Sequence, residues 1–266
     1  MGGVGFMSFD PLQAASGEKW LESELGQYIF SRQEKLILDL VSPAMGESLL
    51  DVGCGTGNYL RLFQQEKCVL TGIDSSAKAL ELARKKLGNQ CELVQGDTTD
   101  LPFSDNEFDI VTLMNGPQPP GDPQKIIAEA VRVSRNRVFI GFFNKHFLAG
   151  TERSVRKLFG FPTVPAIRFF SIGEMQSIIK ETVETSSIRW GSVIYLPSPV
   201  YTLFSELEEL FPMKNNPLGA FVGMIVPVRY TYRTVQNPII NSFELKADTE
   251  TGAPEAVRGM LKEADR

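Results

Sequence analysis

The sequence predicts an α/β protein with a doubly wound, mostly parallel sheet, and two observations support this prediction. Short apolar stretches, which are typical of buried strands, alternate with stretches of helical periodicity between residues 48 and 143. A glycine-rich turn joins the first apolar stretch to the helix that follows it. Because successive strand–helix–strand units cross over in the right-handed sense, we expect helices on both faces of the sheet.

Seven apolar stretches are predicted to be strands. The first five alternate with helices, and the last two follow a segment of different rhythm that begins after residue 144. The predicted strands lie at residues 48–52, 69–73, 91–94, 108–114, 138–143, 188–195 and 220–228.

Capping residues and helix breakers delimit the predicted helices. Ser75 is placed to begin a helix that Gly88 ends, and Asp122 with Pro123 forms an N-cap followed by proline at the first helical position. Ser171, three residues before Glu174, is typical of a capping box. The predicted helices lie at residues 17–41, 58–63, 75–87, 123–133, from 171 onward and at 201–210.

Three segments are predicted from these elements. Residues 1–16 form a mobile N-terminus, residues 17–236 form the folded domain, and residues 237–266 form a solvated tail that is poor in apolar side chains. Within the domain, two helices at about residues 145–182 are predicted to form a helical lid inserted after strand five.

Composition excludes several classes of protein. The 266 residues include 27 Lys and Arg against 32 Asp and Glu, a net charge of −5, whereas a dedicated nucleic-acid binder is usually basic. Three cysteines without a CxxC pair and a single histidine argue against a disulfide framework and a metal site. We find neither a signal peptide nor an apolar stretch long enough to span a bilayer. We therefore expect a cytoplasmic protein with no metal and no nucleic-acid partner.

The glycine-rich turn follows an acidic residue, and this combination restricts the ligand. Gly53, Gly55 and Gly57 allow a tight turn and a close approach of the backbone to a ligand. A dinucleotide-binding turn has the pattern GxGxxG, but Asn58 stands here where the third glycine would be. Asp51 would repel a pyrophosphate and attract a ligand that carries an ammonium and a sulfonium group. The turn therefore favours a cationic ligand over a dinucleotide.

Three acidic residues end three successive predicted strands. Asp51 ends the first strand, Asp74 ends the second, and Asp97 follows the third. An acid at the end of the second strand can accept hydrogen bonds from both ribose hydroxyls of a nucleoside, and the third acid can accept one from an adenine amino group. Together they predict a pocket for a cationic adenosine derivative without phosphate.

The motifs LLDVGCGTG, GID and GDTTDLPFSDNEFDIV resemble those of class I S-adenosylmethionine-dependent methyltransferases. They are most similar to the type 11 group, which includes methyltransferases of quinone biosynthesis, and the resemblance covers about residues 17–230. It implies a Rossmann-like methyltransferase fold with a last strand that runs antiparallel. It also implies that S-adenosylmethionine is the cofactor and that a small molecule accepts the methyl group.

The resemblance assigns roles to individual residues. It implies that the glycine-rich turn holds the methionine part of the cofactor, that Asp74 holds the ribose and that Asp97 holds the adenine. Asn115 follows the fourth strand, but its segment lacks the Asn-Pro-Pro-aromatic motif of enzymes that methylate amino groups of nucleic-acid bases, so the acceptor stays open. Asn115 and His146 are the candidate catalytic residues. The candidate cofactor-binding residues are Asp51, Gly53, Cys54, Gly55, Gly57, Asp74, Ser75, Asp97, Thr98 and Asn115.

Each assignment has a structural alternative. The three acids could cap their own turns, Cys54 could be a packing residue, and His146 could be a surface residue. Two other functions also stay open, a nicotinamide-dependent oxidoreductase and a non-catalytic accessory protein that binds S-adenosylmethionine.

One stretch of the chain is strongly basic. Residues 132–168 contain eight Lys and Arg against one Glu, together with six phenylalanines. The functional interpretation is a lid that attracts an anionic or lipid-like acceptor, with peripheral membrane contact through residues 145–161. The alternative is a solvated helix face.

Overall fold

The computed structural model describes residues 19, 21–114, 116–117, 121–146, 168–183, 187–195 and 211–228. These residues all belong to one compact unit that ends at residue 230. The predicted mobile N-terminus, the predicted tail, the predicted helix at 201–210 and residues 147–167 of the predicted lid lie outside the described residues.

Seven strands of the described residues form one sheet in the order β3-β2-β1-β4-β5-β7-β6. Strands β1 to β5 run parallel to one another, whereas β7 is antiparallel to both β5 and β6. This arrangement confirms the predicted doubly wound, mostly parallel sheet with an antiparallel last strand. The strands are β1 (Ser48–Val52), β2 (Val69–Asp74), β3 (Cys91–Gln95), β4 (Phe108–Leu113), β5 (Ser134–Phe143), β6 (Arg189–Val193) and β7 (Phe221–Pro227).

The strand order reverses between β1 and β4, and this reversal positions the site. At such a switch point the connections on either side leave in opposite directions, so a crevice opens above the carboxyl ends of the strands. The register places Asp51 of β1 opposite Gly72 of β2 on one side and opposite Thr112 of β4 on the other.

The described helices follow the predicted pattern, with one correction at a cap. Ser76 rather than Ser75 caps the third helix, because the Ser76 Oγ accepts the Ala79 amide at 3.2 Å. The Asp74 carboxylate accepts a hydrogen bond from the Ser76 amide at 2.8 Å, and the helix begins one residue later than predicted. Among the described helices, none is long and apolar enough to cross a membrane. The helices are α1 (Glu24–Val41), α2 (Asn58–Gln65), α3 (Ala77–Leu87), α4 (Pro123–Val133) and α5 (Ile172–Thr182), with a 3₁₀ turn at Gly88–Gln90.

Two apolar layers cover the two faces of the sheet. Helices α1, α2 and α3 pack on one face, where Leu36, Leu60 and Leu80 lie among the buried side chains. Helices α4 and α5 cover the other face with residues such as Ile127 and Ile179. Because both faces are covered, the central strands β1 and β4 bury side chains on both sides and are nearly continuous apolar runs.

Helix α5 covers the last part of the segment, about residues 145–182, that is predicted to form a lid. Met175 and Ile179 are fully buried against the sheet layer, and Gln124 at the start of α4 donates a hydrogen bond to Glu181 at 2.8 Å. The predicted cap is confirmed, since Ser171 Oγ accepts the Glu174 amide at 3.1 Å. Residues 172–182 are therefore a crossover helix between β5 and β6 and do not form a lid.

Candidate active site

The glycine-rich turn is fastened to the end of strand β2. The amides of Gly53 and Cys54 both donate to the Ile73 carbonyl, at 2.8 and 3.1 Å. The Gly55 amide donates to Asp74 Oδ2 at 2.9 Å. The turn therefore has a defined position above the neighbouring parallel strand.

The backbone of the turn explains why glycine occupies it. Gly53, Gly55 and Gly57 all have positive φ, between 53° and 79°, a region that residues with a Cβ rarely adopt. A Cβ on Gly57 would lie 2.9 Å from Leu87 Cδ1, so this glycine is also needed for packing on α3. A Cβ on Gly53 or Gly55 would meet no atom within 4 Å. The open space above these two residues can receive a ligand.

Asp51 is a buried acid beneath this space. Its side chain is 1% exposed, and its Oδ1 accepts a hydrogen bond from the Thr112 hydroxyl at 2.7 Å. The pKa of Asp51 is raised from 3.8 to about 7, and burial is the main cause. The hydrogen bond from Thr112 lowers this pKa, whereas the charge of nearby Asp74 raises it. A positive group placed beside this carboxyl would offset the cost of burying its charge.

Asp74 joins the turn to the start of helix α3. Its Oδ2 accepts the Gly55 amide and its Oδ1 accepts the Ser76 amide. The structural alternative for Asp74 therefore applies, since the residue does organise its own turn. Each carboxylate oxygen has two lone pairs, so the same side chain can also accept hydrogen bonds from a ligand.

Asp97 and Thr98 lie in the loop after strand β3. Asp97 is exposed, and its Oδ1 accepts both the amide and the hydroxyl of Thr99 at 2.8 Å. These two bonds lower the pKa of Asp97 and keep it ionised. Within the described residues, no hydrogen bond to Oδ2 of Asp97 is found. Thr98 is half-exposed beside it, and Ser75 is exposed at the end of β2.

Cys54 is a packing residue of the turn. It is buried, and its Sγ lies 2.8 Å from the position that a Cβ on Gly72 would take. Burial and the nearby charge of Asp51 raise the pKa of the Cys54 thiol. A buried thiol with a raised pKa is a poor nucleophile.

Of the two candidate catalytic residues, the structure describes only His146. Asn115 lies outside the described residues. His146 lies just beyond the carboxyl end of β5, where it is exposed and its amide donates to Asn144 Oδ1 at 3.1 Å. His146 is therefore on the same edge of the sheet as the three acids.

Two side-chain contacts beside the turn are not predicted by the sequence. Thr112 lies in an apolar run of β4. Only the register of β4 with β1 brings its hydroxyl within hydrogen-bond distance of the Asp51 carboxyl. Tyr59 of α2 donates a hydrogen bond to Gln33 of α1 at 3.0 Å. Burial is the main cause that raises the Tyr59 pKa, and the charge of Asp51 adds to it. Helix α1 thus borders the glycine-rich turn.

Ion pairs account for half of the cations in the basic stretch. Arg132 pairs with Glu129 and Asp105, Arg135 pairs with Asp109, and Arg137 pairs with Glu47. Arg168 pairs with Glu174 and stacks over the Phe170 ring, with 4.8 Å between the guanidinium and the ring centre. Lys145 is exposed, and Arg153, Arg156 and Lys157 lie outside the described residues. Four of the eight cations therefore form ion pairs within the described residues.

Comparisons with known proteins agree with this geometry. A family described as a methyltransferase domain matches residues 49–137. Two demethylmenaquinone methyltransferases are similar, one from Thermotoga maritima (33% identical over 109 residues, 40% of this chain and 47% of that protein). The other is from Renibacterium salmoninarum (30% identical over 138 residues, 51% of this chain and 57% of that protein).

Solved structures give the same fold. An S-adenosylmethionine-dependent methyltransferase from Thermotoga maritima, described as a possible histamine N-methyltransferase, superposes with a TM-score of 0.64 at 19% identity. It covers 81% of this chain and 96% of its own. The chain spans about half the length of the curated relatives it matches. The resemblance to class I methyltransferases that the motifs indicate is confirmed.

Proposed function

We propose that this chain, in which residues 49–137 match a methyltransferase domain family, transfers a methyl group from S-adenosylmethionine to a small-molecule acceptor. The observation that supports this activity best is the buried Asp51 carboxyl beneath the open space over Gly53 and Gly55. In the reaction, the acceptor's lone pair forms a bond to the methyl carbon, the carbon–sulfur bond breaks, and its electrons stay on sulfur. S-adenosylhomocysteine leaves as a neutral thioether.

The residues of the crevice fit the parts of this cofactor. Asp51 would accept hydrogen bonds from the ammonium group, and the space over Gly53 and Gly55 would receive the methionine chain. Asp74, which already orders the turn, would accept the ribose hydroxyls, and Asp97 would accept the adenine amino group. When bound, the cofactor supplies the activated methyl group. The protein's contribution is mainly proximity and orientation, so strong acid–base groups are unnecessary for an acceptor that is already nucleophilic.

The electrostatics favour this cofactor over the nicotinamide alternative. Asp74 is close enough to Asp51 for its charge to raise the pKa of Asp51. A pyrophosphate above them would add negative charge beside a buried acid, which is unfavourable in a low-dielectric site. A ligand with an ammonium and a sulfonium group adds positive charge there instead.

The acceptor belongs on the same edge of the sheet, beyond β4 and β5. Relatives are named for demethylmenaquinone, which supports an acceptor of the quinone class, lipid-like and ionisable. His146 is the described side chain at the end of β5 that can take a proton from such an acceptor. Peripheral membrane contact through residues 145–161 stays a prediction, since most of that segment lies outside the described residues.

Calorimetry with S-adenosylhomocysteine and with NAD tests the cofactor. Binding of the former and not of the latter is expected, and the reverse result would contradict the proposal. Turnover is then measured with methyl-labelled S-adenosylmethionine against a panel that includes demethylated naphthoquinols, simple phenols and amines. Tight binding without turnover on any acceptor would favour the alternative of a non-catalytic accessory protein.

A further inference from the structure

The loop after strand β3 is held by two residues of helix α4. This loop, residues 97–105, contains Asp97 and Thr98, and we refer to it as the β3 loop. It joins the end of β3 to the turn before β4. Glu129 and Arg132 of α4 form a salt bridge one turn apart, with Arg132 Nε 2.7 Å from Glu129 Oε1.

This pair forms hydrogen bonds with both amide and carbonyl groups of the β3 loop backbone. Glu129 Oε2 accepts the Leu101 amide at 2.8 Å, and Arg132 Nη2 donates to the Leu101 carbonyl at 2.9 Å. Arg132 Nη1 donates to the Phe103 carbonyl at 2.8 Å and to Asp105 Oδ1 at 2.9 Å. The planar fork of a guanidinium can reach two carbonyls and two carboxylates at once, which a lysine ammonium cannot do in this geometry.

The charge distribution strengthens these contacts. The hydrogen bond from Arg132 is the main cause that lowers the pKa of Glu129, and the Leu101 amide adds to it. The hydrogen bonds that Arg132 donates to Glu129 and Asp105 raise the pKa of Arg132. Both groups therefore stay ionised, and their hydrogen bonds to the loop backbone are charge-assisted.

Leu101, whose backbone is held by Glu129 and Arg132, closely follows Asp97 in the sequence. The Leu101 side chain is buried, Asp97 bridges to Asp100, and the Asp97 carboxylate holds Thr99. Asp97, Thr99, Asp100 and Leu101 are thus tied either to the loop itself or to α4. An adenine group that meets Asp97 and Thr98 would find them in positions that depend on the anchor at Leu101.

We propose that Glu129 and Arg132 are positioning residues that hold Asp97 and Thr98 in place to recognise the adenine amino group. This inference rests on the proposed function, because it presupposes an adenosine ligand. It explains why Arg132 of the basic stretch, and Glu129 one turn before it, contact a loop rather than an acceptor. Neither residue needs to touch the ligand.

A second ion pair, on the other face of the sheet, offers a matched control. Arg137 forms the same bidentate pair with Glu47 at 2.9 and 2.7 Å, and it donates to the carbonyls of Val41 and Ser42. It therefore has the same chemistry and a similar role in stability, but it holds the end of α1. A variant of Arg137 therefore shows how much stability is lost when such a pair is removed away from the β3 loop.

The experiment compares Arg132→Lys with Arg137→Lys. Calorimetry measures the affinity of each protein for S-adenosylhomocysteine and for S-inosylhomocysteine, in which an oxo group replaces the adenine amino group. We expect Arg132→Lys to reduce the preference for the adenine ligand by about tenfold, which corresponds to about 1.4 kcal/mol. The preference of Arg137→Lys should match that of the wild type. Hydrogen exchange without ligand should be faster across residues 97–105 in Arg132→Lys only.

The outcomes separate the inference from the function on which it rests. A wild type that binds neither ligand contradicts the proposed function and the inference together. A wild type that binds the adenine ligand, with the same preference retained in Arg132→Lys, refutes the inference alone. An equal loss of preference in Arg137→Lys also refutes it, because the effect would then come from general destabilisation.

Discussion

Replacing Asp51 with asparagine should make the protein more stable at alkaline pH while weakening its cofactor site. The carboxyl is buried, and burial raises its pKa from 3.8 to about 7. An acid with a raised pKa binds its proton more tightly in the folded state than in the unfolded state. The free energy of unfolding of the wild type therefore falls as the pH rises from about 4 to about 7, and it stays lower above that range.

The size of this effect follows from the shift. About three pKa units at about 1.4 kcal/mol each give a pH-dependent difference on the order of 4 kcal/mol between the wild type and Asp51→Asn. The asparagine can still accept the Thr112 hydroxyl, but its buried amide group adds a pH-independent cost of about 1–3 kcal/mol. Relative to the wild type, Asp51→Asn should therefore gain stability between about pH 4 and pH 7.

Urea unfolding of both proteins across this pH range measures the difference. Asp97→Asn is the control of opposite sign, because the bonds from Thr99 lower the pKa of Asp97 and stabilise its charged form. That variant should lose stability relative to the wild type as the pH rises from the folded pKa to the unfolded value of about 3.8, so its difference from the wild type should be nearly constant between about pH 4 and pH 7. A difference between Asp51→Asn and the wild type that does not change with pH would refute the reasoning about burial.

The same substitution tests the cofactor site. An ammonium group beside Asp51 favours the ionised carboxylate, so binding of S-adenosylhomocysteine by the wild type near pH 6–7 should release a proton. Calorimetry in two buffers with different ionisation enthalpies detects this release. Asp51→Asn should bind at least about tenfold more weakly at alkaline pH, since hydrogen bonds to charged groups contribute about 1.5–3 kcal/mol. Unweakened binding would show that Asp51 does not meet the ammonium group.

Three further predictions concern the neighbours of Asp51. Thr112→Val removes the hydroxyl that lowers the Asp51 pKa, so carbon-detected NMR titration should find that pKa higher than in the wild type, and Thr112→Ser should restore it. Asp74→Ala should lose about 2–4 kcal/mol of S-adenosylhomocysteine affinity and also melt at a lower temperature, because its carboxylate holds two backbone amides. Wild-type affinity in that variant would leave Asp74 with a structural role only. Gly57→Ala should reduce the free energy of unfolding by about 2–4 kcal/mol, from strain and overpacking together. Gly46→Ala, at a positive φ with open space, measures the strain alone, so an equal loss in both would contradict the packing argument.

The local features of the chain could be predicted because their causes lie within a few residues. Asp122 caps α4 by accepting the Gln124 amide at 3.1 Å, and Ser171 caps α5 in the same way. Gly88 ends α3 with a positive φ, as its position in the sequence indicates. The three acids at the ends of β1, β2 and β3 were also predictable, since parallel strands end at the same edge of the sheet.

The sequence by itself therefore determined the order of the elements, the glycine-rich turn and the identity of the acids around it. Tertiary structure alone decided which residues meet across long separations. Thr112 reaches Asp51 from 61 positions away, and Arg137 reaches Glu47 from 90. It also placed α5 on the sheet, where burial of Met175 makes this segment a crossover helix. Periodicity shows that a helix has an apolar face, but the surface that the face covers depends on the packing of the whole chain.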